Sequence, residues 1–335
     1  MTLKLAIDAR YAQRRITGVE RYAHEISKRL TLEKRFIKPE YLPGRVGGHL
    51  WEQIILPAKI QKGEFLWSPA NAGPWLVRNQ VVTLHDASVF DHPEWFNPTF
   101  AAWTRLSWKI LARRARAILT VSEFSKHRLK LHLRLTDEKI HVVYNGVSTP
   151  FEQQSPRKMK AVKEKYGIKK PYFLFVGTME PRKNLKVLLE AWQRFNSKSH
   201  ELFLAGSIGR VFSATSPMIR SIYIADEDLP ALYSGAAAFV FPSLYEGFGL
   251  PVLEAMACGV PVITSKTSAF PEIFGDAALL IDPANPEETA LAMQEIIENK
   301  SLVSTLRERG LKKASSLSWE KSAAKIESIF KGMAA

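Results

Sequence analysis

The chain has 335 residues, 46% of them hydrophobic and 24% charged, which excludes a disordered protein. This length exceeds what one ordinary hydrophobic core needs and predicts two domains. The net charge of +14 is uneven: residues 1–150 carry 24 basic and 13 acidic side chains, and residues 151–335 carry 23 and 20. A basic first half indicates an anionic partner, for which nucleic acid and an acidic membrane surface are both candidates.

The chain contains no apolar run of the roughly 18 residues that a membrane-spanning helix requires. Lys4 and Asp8 interrupt the first ten residues, so this segment predicts a strand and not a secretory signal. The single cysteine, Cys258, excludes an internal disulfide and indicates a reducing cytosol.

Short apolar strands alternate with helical patterns through the first half. Strands are predicted at 3–8, 65–69, 80–86, 117–122 and 140–146. Helices are predicted at 18–30, 51–60, 97–116 and 123–133. Near-continuous apolar strands separated by helices predict a parallel sheet that is covered on both faces.

The same alternation resumes after a polar, proline-flanked segment at 148–171, whose first part we interpret as an interdomain linker. Strands are predicted at 172–177, 201–206, 219–225, 238–243 and 261–265, and helices at 184–196, 228–235, 250–257 and 287–298. The expected fold class is therefore α/β, with Rossmann-like, doubly wound domains at 1–155 and 165–317 and a C-terminal helix at 318–335 that packs back on the first. Ligands bind at the carboxyl ends of such strands, so two facing domains are expected to form a cleft.

The stretch "SLYEGFGLPVLE" at 243–254 combines turn glycines, a helix start and two carboxylates. Gly249 permits positive φ, and Pro251 suits the first turn of a helix. The free N–H groups at that helix start would bind an anion such as phosphate. Glu254, about one turn further, would accept hydrogen bonds from sugar hydroxyls. The alternative is that these residues only form a turn and stabilise the helix dipole.

A second strand–loop–helix segment, "FVGTMEPRKNLKVLLEAW" at 175–192, carries two adjacent cations. Arg182 and Lys183 follow a predicted strand and suit a diphosphate, and Asn184 is a candidate helix cap. A solvated basic loop is the alternative for this segment taken alone.

Three further features carry a functional and a structural interpretation. His85 ends an apolar strand next to Asp86, which favours a functional role over a structural one. The acidic triplet Asp226–Asp228 precedes a helix and predicts a cap, not a metal site. The helix at 97–116 contains Trp103, Trp108 and five basic residues, so it either lies on anionic lipid or packs in the core with a solvated basic face.

The segments "PRKN" and "YEGFGLPVLEAMACGVPVITS", with their E-x7-E spacing, resemble the family 4 glycosyltransferases, which are retaining enzymes of the two-domain GT-B fold. The resemblance covers nearly the whole chain, because "TGVERYAHEI", "VVTLHD", "ILTVSEFSK", "VYNGV" and "ADEDLPALYSGA" also match family segments in order. It implies a metal-independent hexosyltransferase without a cofactor. The nucleotide sugar would bind the second domain and the acceptor would bind the first.

The resemblance implies a role for each matching residue. Arg182 and Lys183 would hold the donor pyrophosphate from one side, and the backbone of Phe248, Gly249 and Leu250 would hold it from the other.

The remaining donor contacts and the acceptor side follow from the same resemblance. Glu254 would bind the donor ribose, and Glu246 would contact hydroxyls of the transferred sugar near the reacting carbon. Contacts around Tyr223 and Ile224 would help to read the base. In the first domain, the implied catalytic residue His85 would face the donor sugar, and Gly18 would border the acceptor and the phosphates.

The leading hypothesis is a bacterial surface-polysaccharide mannosyl- or rhamnosyltransferase that uses GDP-mannose and a glycan or lipid-linked oligosaccharide acceptor. Its expected location is cytoplasmic, peripheral on the inner face of the cytoplasmic membrane, with the basic first domain on anionic lipid. The alternatives are a GT-B nucleotide-sugar epimerase or phosphorylase, and a non-enzymatic protein that binds nucleic acid or membrane through its basic half. Nucleic acid is not the expected partner, because the chain shows no helix-turn-helix pattern and no aromatic residues placed for stacking on a sheet.

Overall fold

The computed structural model describes residues 3–13, 16–40, 44–206 and 224–334. The chain folds into two compact units. The first extends through Asn145 and resumes at Trp319, and the second runs from Gly146 to Ser318. Each unit is built on a parallel sheet.

The described residues of the first unit contain six parallel strands in the order β2-β1-β3-β4-β5-β6. They are β1 (Lys4–Asp8), β2 (Glu33–Ile37), β3 (Phe65–Ser68), β4 (Gln80–Thr83), β5 (Ala117–Thr120) and β6 (Ile140–Val142). Every residue of β3, β4 and β5 is buried, which explains their mostly apolar sequences. Strand β2 was not predicted, because it lies at the sheet edge and three of its five residues are charged.

The helices of the first unit alternate with these strands. They are α1 (Gly18–Arg29), α2 (Gly44–Leu50), α3 (Leu56–Ala58), α4 (Ser88–Asp91), α5 (Pro98–Arg114), α6 (Glu123–Leu133) and, at the end of the chain, α14 (Trp319–Ala334). Between α2 and α3 the backbone forms a π-helical turn at Trp51–Ile55, where the sequence predicted one regular helix at 51–60.

Helix α14 packs within the first unit. The ring of Phe330 is fully buried and meets the ring of Phe65 edge-on at 6.1 Å. The hydroxyl of Ser322 donates to the carbonyl of Tyr144 at 2.6 Å, and the hydroxyl of Thr31 donates to the Glu327 carboxylate at 2.9 Å. The final helix is therefore an integral part of this unit.

The described residues of the second unit contain five parallel strands in the order β11-β10-β9-β7-β8. The strands are β7 (Tyr172–Val176), β8 (Glu201–Ala205), β9 (Ala238–Phe241), β10 (Val262–Ser265) and β11 (Leu279–Ile281). The helices are α7 (Pro156–Lys165), α8 (Leu185–Phe195), α9 (Leu229–Ser234), α10 (Leu250–Ala257), α11 (Phe270–Phe274), α12 (Pro286–Glu298) and α13 (Lys300–Ser316).

Several elements of this unit differ from the sequence-based expectation. Helix α7 was not predicted. It lies inside the polar segment at 148–171, and its basic sequence buries only Val162 and so shows little apolar periodicity. Helix α13 was also not predicted, because two of its three buried residues, Gly310 and Ala314, are small, and β11 has only three residues. The strand predicted at 219–225 falls largely outside the described residues, and Ile224 and Ala225 are not in a strand.

Over the described ranges, every helix is too short or too polar to cross a bilayer.

The docking of α14 generates the first prediction. We expect Phe330→Ala to lower the free energy of unfolding by about 3–5 kcal/mol, because it removes a fully buried ring and leaves a cavity. Tryptophan fluorescence during denaturant unfolding can measure this, since seven of the eight tryptophans belong to the first unit. Ser328→Ala, at an exposed position of the same helix, should change stability by no more than about 0.5 kcal/mol. Equal effects of the two substitutions would contradict the docking.

Candidate active site

Two loops of the second unit meet at the carboxyl ends of neighbouring strands. Strands β7 and β9 pair directly, with Phe173 opposite Ala238. We call residues 177–184, which follow β7, the first loop, and residues 242–249, which follow β9, the second loop. The backbone N–H of Leu244 donates to the carbonyl of Arg182 at 2.8 Å, and the hydroxyl oxygen of Ser243 lies 2.9 Å from the same carbonyl oxygen. Adjacent parallel strands thus hold the two predicted phosphate-binding segments together.

Asn184 fastens the first loop to its neighbours. Its φ of 58° is left-handed, and its side-chain amide donates to the carbonyls of Pro242, at 3.1 Å, and Pro283, at 2.5 Å. The expectation that its side chain caps the next helix was therefore wrong. Asn184 occupies the N-cap position of α8 without a capping hydrogen bond, because its side chain is used between loops.

A buried ion pair joins the two loops. Lys183 is 6% exposed and Glu246 is 8% exposed, and the Lys183 ammonium contacts Oε1 of the Glu246 carboxylate. The Arg182 guanidinium lies 3.0 Å from Oε2 of the same carboxylate. The Ser243 hydroxyl donates to Oε1 at 3.1 Å, and the Lys183 ammonium lies 4.7 Å from the centre of the Phe241 ring. The Glu246 carboxylate therefore contacts both cations, Arg182 and Lys183, that were predicted to bind phosphate.

Burial acts to raise the pKa of the Glu246 carboxyl, but the charges of Arg182 and Lys183 and the hydrogen bonds around it hold that pKa below its usual value. Burial lowers the pKa of the Lys183 ammonium, and the neighbouring Arg182 charge lowers it further, while Glu246 opposes both effects. Glu246 is therefore an ionised carboxylate that acts as a hydrogen-bond acceptor.

The second loop ends in a backbone conformation that requires glycine. Gly249 has a φ of +99°, and a Cβ there would lie 2.7 Å from the ring of Phe270. Helix α10 begins at the next residue, Leu250, with Pro251 in its first turn as the sequence indicates. Phe248 and Leu250 are buried, so this helix start is fixed in place.

Glu254 lies on α10, roughly 6 Å along the axis from the helix start. Its carboxylate is buried and accepts a hydrogen bond from the hydroxyl of Tyr233 at 3.4 Å. Ile224 is also buried, whereas Tyr223 lies outside the described residues. Glu246 and Glu254 thus occupy different environments, one in an ion pair at the loops and one on the helix.

His85 belongs to the first unit and follows β4. Its ring is buried, and Nε2 lies 2.9 Å from the carbonyl oxygen of Pro69. Because a carbonyl only accepts hydrogen bonds, Nε2 carries the proton and Nδ1 is an acceptor. Burial lowers the pKa of this imidazole, although the hydrogen bond to Pro69 and the charge of Asp86 oppose the change. His85 is therefore suited to accept a hydrogen bond as a neutral ring.

Two residues that the sequence analysis did not identify position His85. Asn71, with a left-handed φ of 60°, accepts from the His85 backbone N–H through its side-chain oxygen at 2.8 Å. Tyr22 packs its ring edge-on against the imidazole, with 4.7 Å between the ring centres. The only sequence signal for Asn71 was an asparagine in a Pro- and Gly-containing loop after a predicted strand.

Gly18 is the first residue of α1, the helix that carries Tyr22. The preceding Thr17 and Glu20 form a capping box, in which the Thr17 N–H donates to Glu20 Oε2 at 3.2 Å. The Glu20 charge also acts on His85 and opposes the effect of burial on the pKa of the imidazole. Gly18 and His85 therefore belong to one neighbourhood within the first unit.

The sequence predicted that the acidic triplet at 226–228 caps a helix, but the Asp228 side chain makes no capping hydrogen bond. Asp228 stands at the N-cap position of α9, but its carboxylate accepts from the Lys165 ammonium at 2.6 Å and from the Tyr166 hydroxyl at 2.7 Å. In the part of the chain that the structure describes, no group of three or more His, Cys, Asp or Glu side chains is arranged to hold a metal ion.

Trp108 does not lie on a lipid-facing surface. Its side chain is buried, and its indole N–H donates to the carbonyl of Asn71 at 2.8 Å. Trp103 is partly buried and packs against Trp75, with 5.0 Å between the ring centres. The aromatic residues of α5 thus belong mainly to the core, while its basic residues Lys109 and Arg113 are exposed.

Two family models match the chain. Residues 62–151 match "Glycosyltransferase Family 4", and residues 170–299 match "Glycosyl transferases group 1". The O-antigen chain mannosyltransferase B of Escherichia coli is 35% identical over 74% of this chain and 68% of its own length. The O-antigen chain mannosyltransferase RfbU of Salmonella typhimurium is 30% identical over 66% of this chain and 62% of its own. The match to the E. coli mannosyltransferase WbdA spans only 28% of that protein.

Solved structures show the same fold. Anabaena HepE, crystallised with UDP and glucose, superimposes with a TM-score of 0.78 over 99% of this chain and all of its own, at 17% identity. WaaG, a glycosyltransferase involved in lipopolysaccharide biosynthesis, gives 0.78 over 98% of this chain and all of its own, at 16% identity. These likenesses confirm the predicted GT-B fold.

The environment of His85 generates the second prediction. We expect its imidazole to be the Nε2–H tautomer and to titrate below the usual 6.5, because burial disfavours the charged ring. The neutral ring therefore stabilises the folded state above pH 6.5, and this contribution is lost as the pH falls through the folded pKa.

Long-range ¹H–¹⁵N NMR of the histidine rings measures both properties, and the spectrum of His85→Gln identifies the signal. An Nδ1–H tautomer, or a titration midpoint at or above 6.5, would contradict the geometry.

Proposed function

Because the chain belongs to the group 1 glycosyltransferases of family 4, we propose that it transfers mannose, with retention, from GDP-mannose to a glycan or lipid-linked glycan in the synthesis of a bacterial surface polysaccharide. That it is a glycosyltransferase follows from the family. The choice of mannose rests on one observation, the 35% identity to a relative named O-antigen chain mannosyltransferase B. GDP-mannose is the donor that this choice favours.

The donor would bind the second unit at the two loops. Arg182 and Lys183 supply the positive charge that a diphosphate needs, bidentate from the guanidinium and compact from the ammonium. The N–H groups at the start of α10, around Gly249, would bind the diphosphate from the other side. Glu254, deeper on α10, would accept hydrogen bonds from the ribose. Ile224 and the neighbouring Tyr223 would contact the base.

The transfer itself would use the departing diphosphate as the base. The bond from the anomeric carbon to the phosphate oxygen breaks, and the acceptor oxygen bonds to the same face of that carbon. The acceptor proton passes to the phosphate oxygen. Arg182 and Lys183 would offset the charge on the leaving group without a metal ion. Glu246 would accept hydrogen bonds from the hydroxyls of the sugar, and His85 would accept one at Nδ1.

The first unit would receive the acceptor and lie on an anionic bilayer. Five large apolar side chains of α2, the following π-helical turn, α5 and the loop before β4 are exposed, and a group of such residues on one surface indicates an interaction site. We call them the apolar patch: Leu50, Ile54, Leu76, Phe100 and Leu106. Leu76 is 73% exposed and Leu106 is 52% exposed.

Side-chain contacts connect these elements. The Gln53 side chain accepts from the Trp75 backbone N–H at 2.9 Å, and the Trp103 ring of α5 packs at 5.5 Å from the His49 ring. Helix α5 has no acidic residue and exposes Lys109 and Arg113. Apolar side chains beside unopposed positive charge fit the interface of an anionic lipid bilayer.

The proposed function generates the third prediction. GDP-mannose, and not UDP-glucose or dTDP-rhamnose, should release its nucleotide in the presence of a mannose-containing lipid-linked oligosaccharide, and NMR should show that the anomeric configuration is retained. Glu254→Gln should mainly raise the KM for the donor, since the ribose contact is made before and during transfer. Glu246→Gln should mainly lower kcat, since its contact is to the transferred sugar.

Thermal shifts with GDP, UDP, dTDP and ADP identify the base independently of the acceptor, because a ligand at 100 times its Kd adds about 2.7 kcal/mol. Stabilisation by UDP and not by GDP would overturn the choice of donor. If Glu254→Gln lowered only kcat and Glu246→Gln raised only KM, the donor would have to bind in the opposite direction.

The apolar patch generates the fourth prediction. The protein should float with vesicles that contain anionic phosphatidylglycerol but not with vesicles of phosphatidylcholine alone, and added salt should weaken the binding. Leu106→Glu should abolish flotation, since it places negative charge within the patch. Leu291→Glu changes a leucine of the second unit that is 63% exposed and should leave flotation unchanged. Equal flotation of both variants would exclude the patch as the membrane-binding surface.

A further inference from the structure

The two cations of the proposed donor site already bond to a protein carboxylate. Glu246 contacts the Lys183 ammonium through Oε1, and its Oε2 lies 3.0 Å from the Arg182 guanidinium. A diphosphate would have to bind the same two side chains. Both the carboxylate and the phosphate are negatively charged, so they compete for Lys183 and Arg182 and repel each other when both are near them.

Glu246 cannot leave the site for water when a phosphate arrives. Its side chain is buried, its backbone N–H donates to the hydroxyl of Ser268 at 3.2 Å, and its carboxylate accepts from Ser243. The second loop is itself fastened, since the Ser265 hydroxyl donates to the Ser243 carbonyl at 2.6 Å. A buried carboxylate that loses hydrogen-bond donors is strongly destabilised unless new donors replace them.

We propose that Glu246 determines the specificity of this site for the intact sugar nucleotide over the free nucleoside diphosphate. The proposal rests on the function proposed above. The sugar of the donor supplies hydroxyl groups that donate to Glu246 as the phosphate takes over Lys183 and Arg182. The nucleoside diphosphate product has no such hydroxyls, and its binding leaves the carboxylate short of donors. The site therefore favours the substrate and weakens its hold on the product once the sugar has been transferred.

A neighbouring carboxylate provides a matched control. The carboxylate of Glu180 accepts from Nε of Arg182 at 3.0 Å, but its side chain is 43% exposed, against 10% for that of Glu246. Its ion pair is screened by water and costs little to break. Replacing Glu180 with glutamine removes one negative charge, as replacing Glu246 does, but it leaves the ion pair between Lys183 and Glu246 in place.

The test is isothermal titration calorimetry with GDP, inorganic pyrophosphate and GDP-mannose. Glu246→Gln should bind GDP and pyrophosphate roughly tenfold or more tightly than the wild type, because a charged hydrogen-bonding competitor is removed. It should gain less for GDP-mannose, since the contact with the sugar weakens. Glu180→Gln should change all three affinities by less than about threefold. Unchanged or weaker GDP binding by folded Glu246→Gln would overturn the proposal.

A second measurement uses the wild-type protein. Free mannose added with GDP should strengthen GDP binding, because its hydroxyls supply the donors that Glu246 needs, and it should have no effect in Glu246→Gln. Absence of this cooperativity in the wild type would overturn the proposal even if the variant does not fold. If no nucleoside diphosphate or pyrophosphate binds the wild type or the variant, the proposed function itself fails.

Discussion

The pairing of β7 with β9 is the constraint on which the candidate active site depends. Strand β8 intervenes between them in the chain, but in the sheet they are neighbours, so the loops that follow them begin side by side. This adjacency places residues more than sixty positions apart in one buried cluster. The Lys183–Glu246 ion pair, the Asn184 amide and the Ser243 hydroxyl then lock the two loops together. A buried pair of this kind fixes the geometry of the two loops more than it adds stability.

The sequence predicted most of the second unit and singled out the loop residues that the structure brings together, because the informative residues sit in short local patterns. A strand followed by glycine and adjacent cations, or by a glycine-rich turn and a helix start, indicates phosphate binding without knowledge of the fold. The sequence could not show that Glu246 bonds to Lys183, since that contact depends on strand order. It also misassigned the side chains of Asn184 and Asp228 as caps, because tertiary partners offered them stronger hydrogen bonds than the helix ends did.

In the first unit, burial explains both the successes and the failures of prediction. Strands β3, β4 and β5 are buried along their whole length and are mostly apolar, so they were recognised. The charged edge strand β2 was not. The sequence left the helix at 97–116 with two interpretations, a surface for anionic lipid or a core-packed helix with a solvated basic face, and Trp108 lies on the buried side of α5. Periodicity identifies an amphipathic helix, but side-chain contacts are needed to decide which aromatic residue faces the core.

The position of α14 also imposes an order on biosynthesis. The second unit is continuous in the chain, whereas the first unit consists of its opening residues and a helix that follows the whole of the second. During translation, the second unit can complete its core while the first still lacks the Phe330 ring and the other buried residues of α14. The part of the chain that is made first is therefore finished last. Until the ribosome releases α14, Phe65 and the other apolar side chains that this helix covers lack their partner in the nascent first unit.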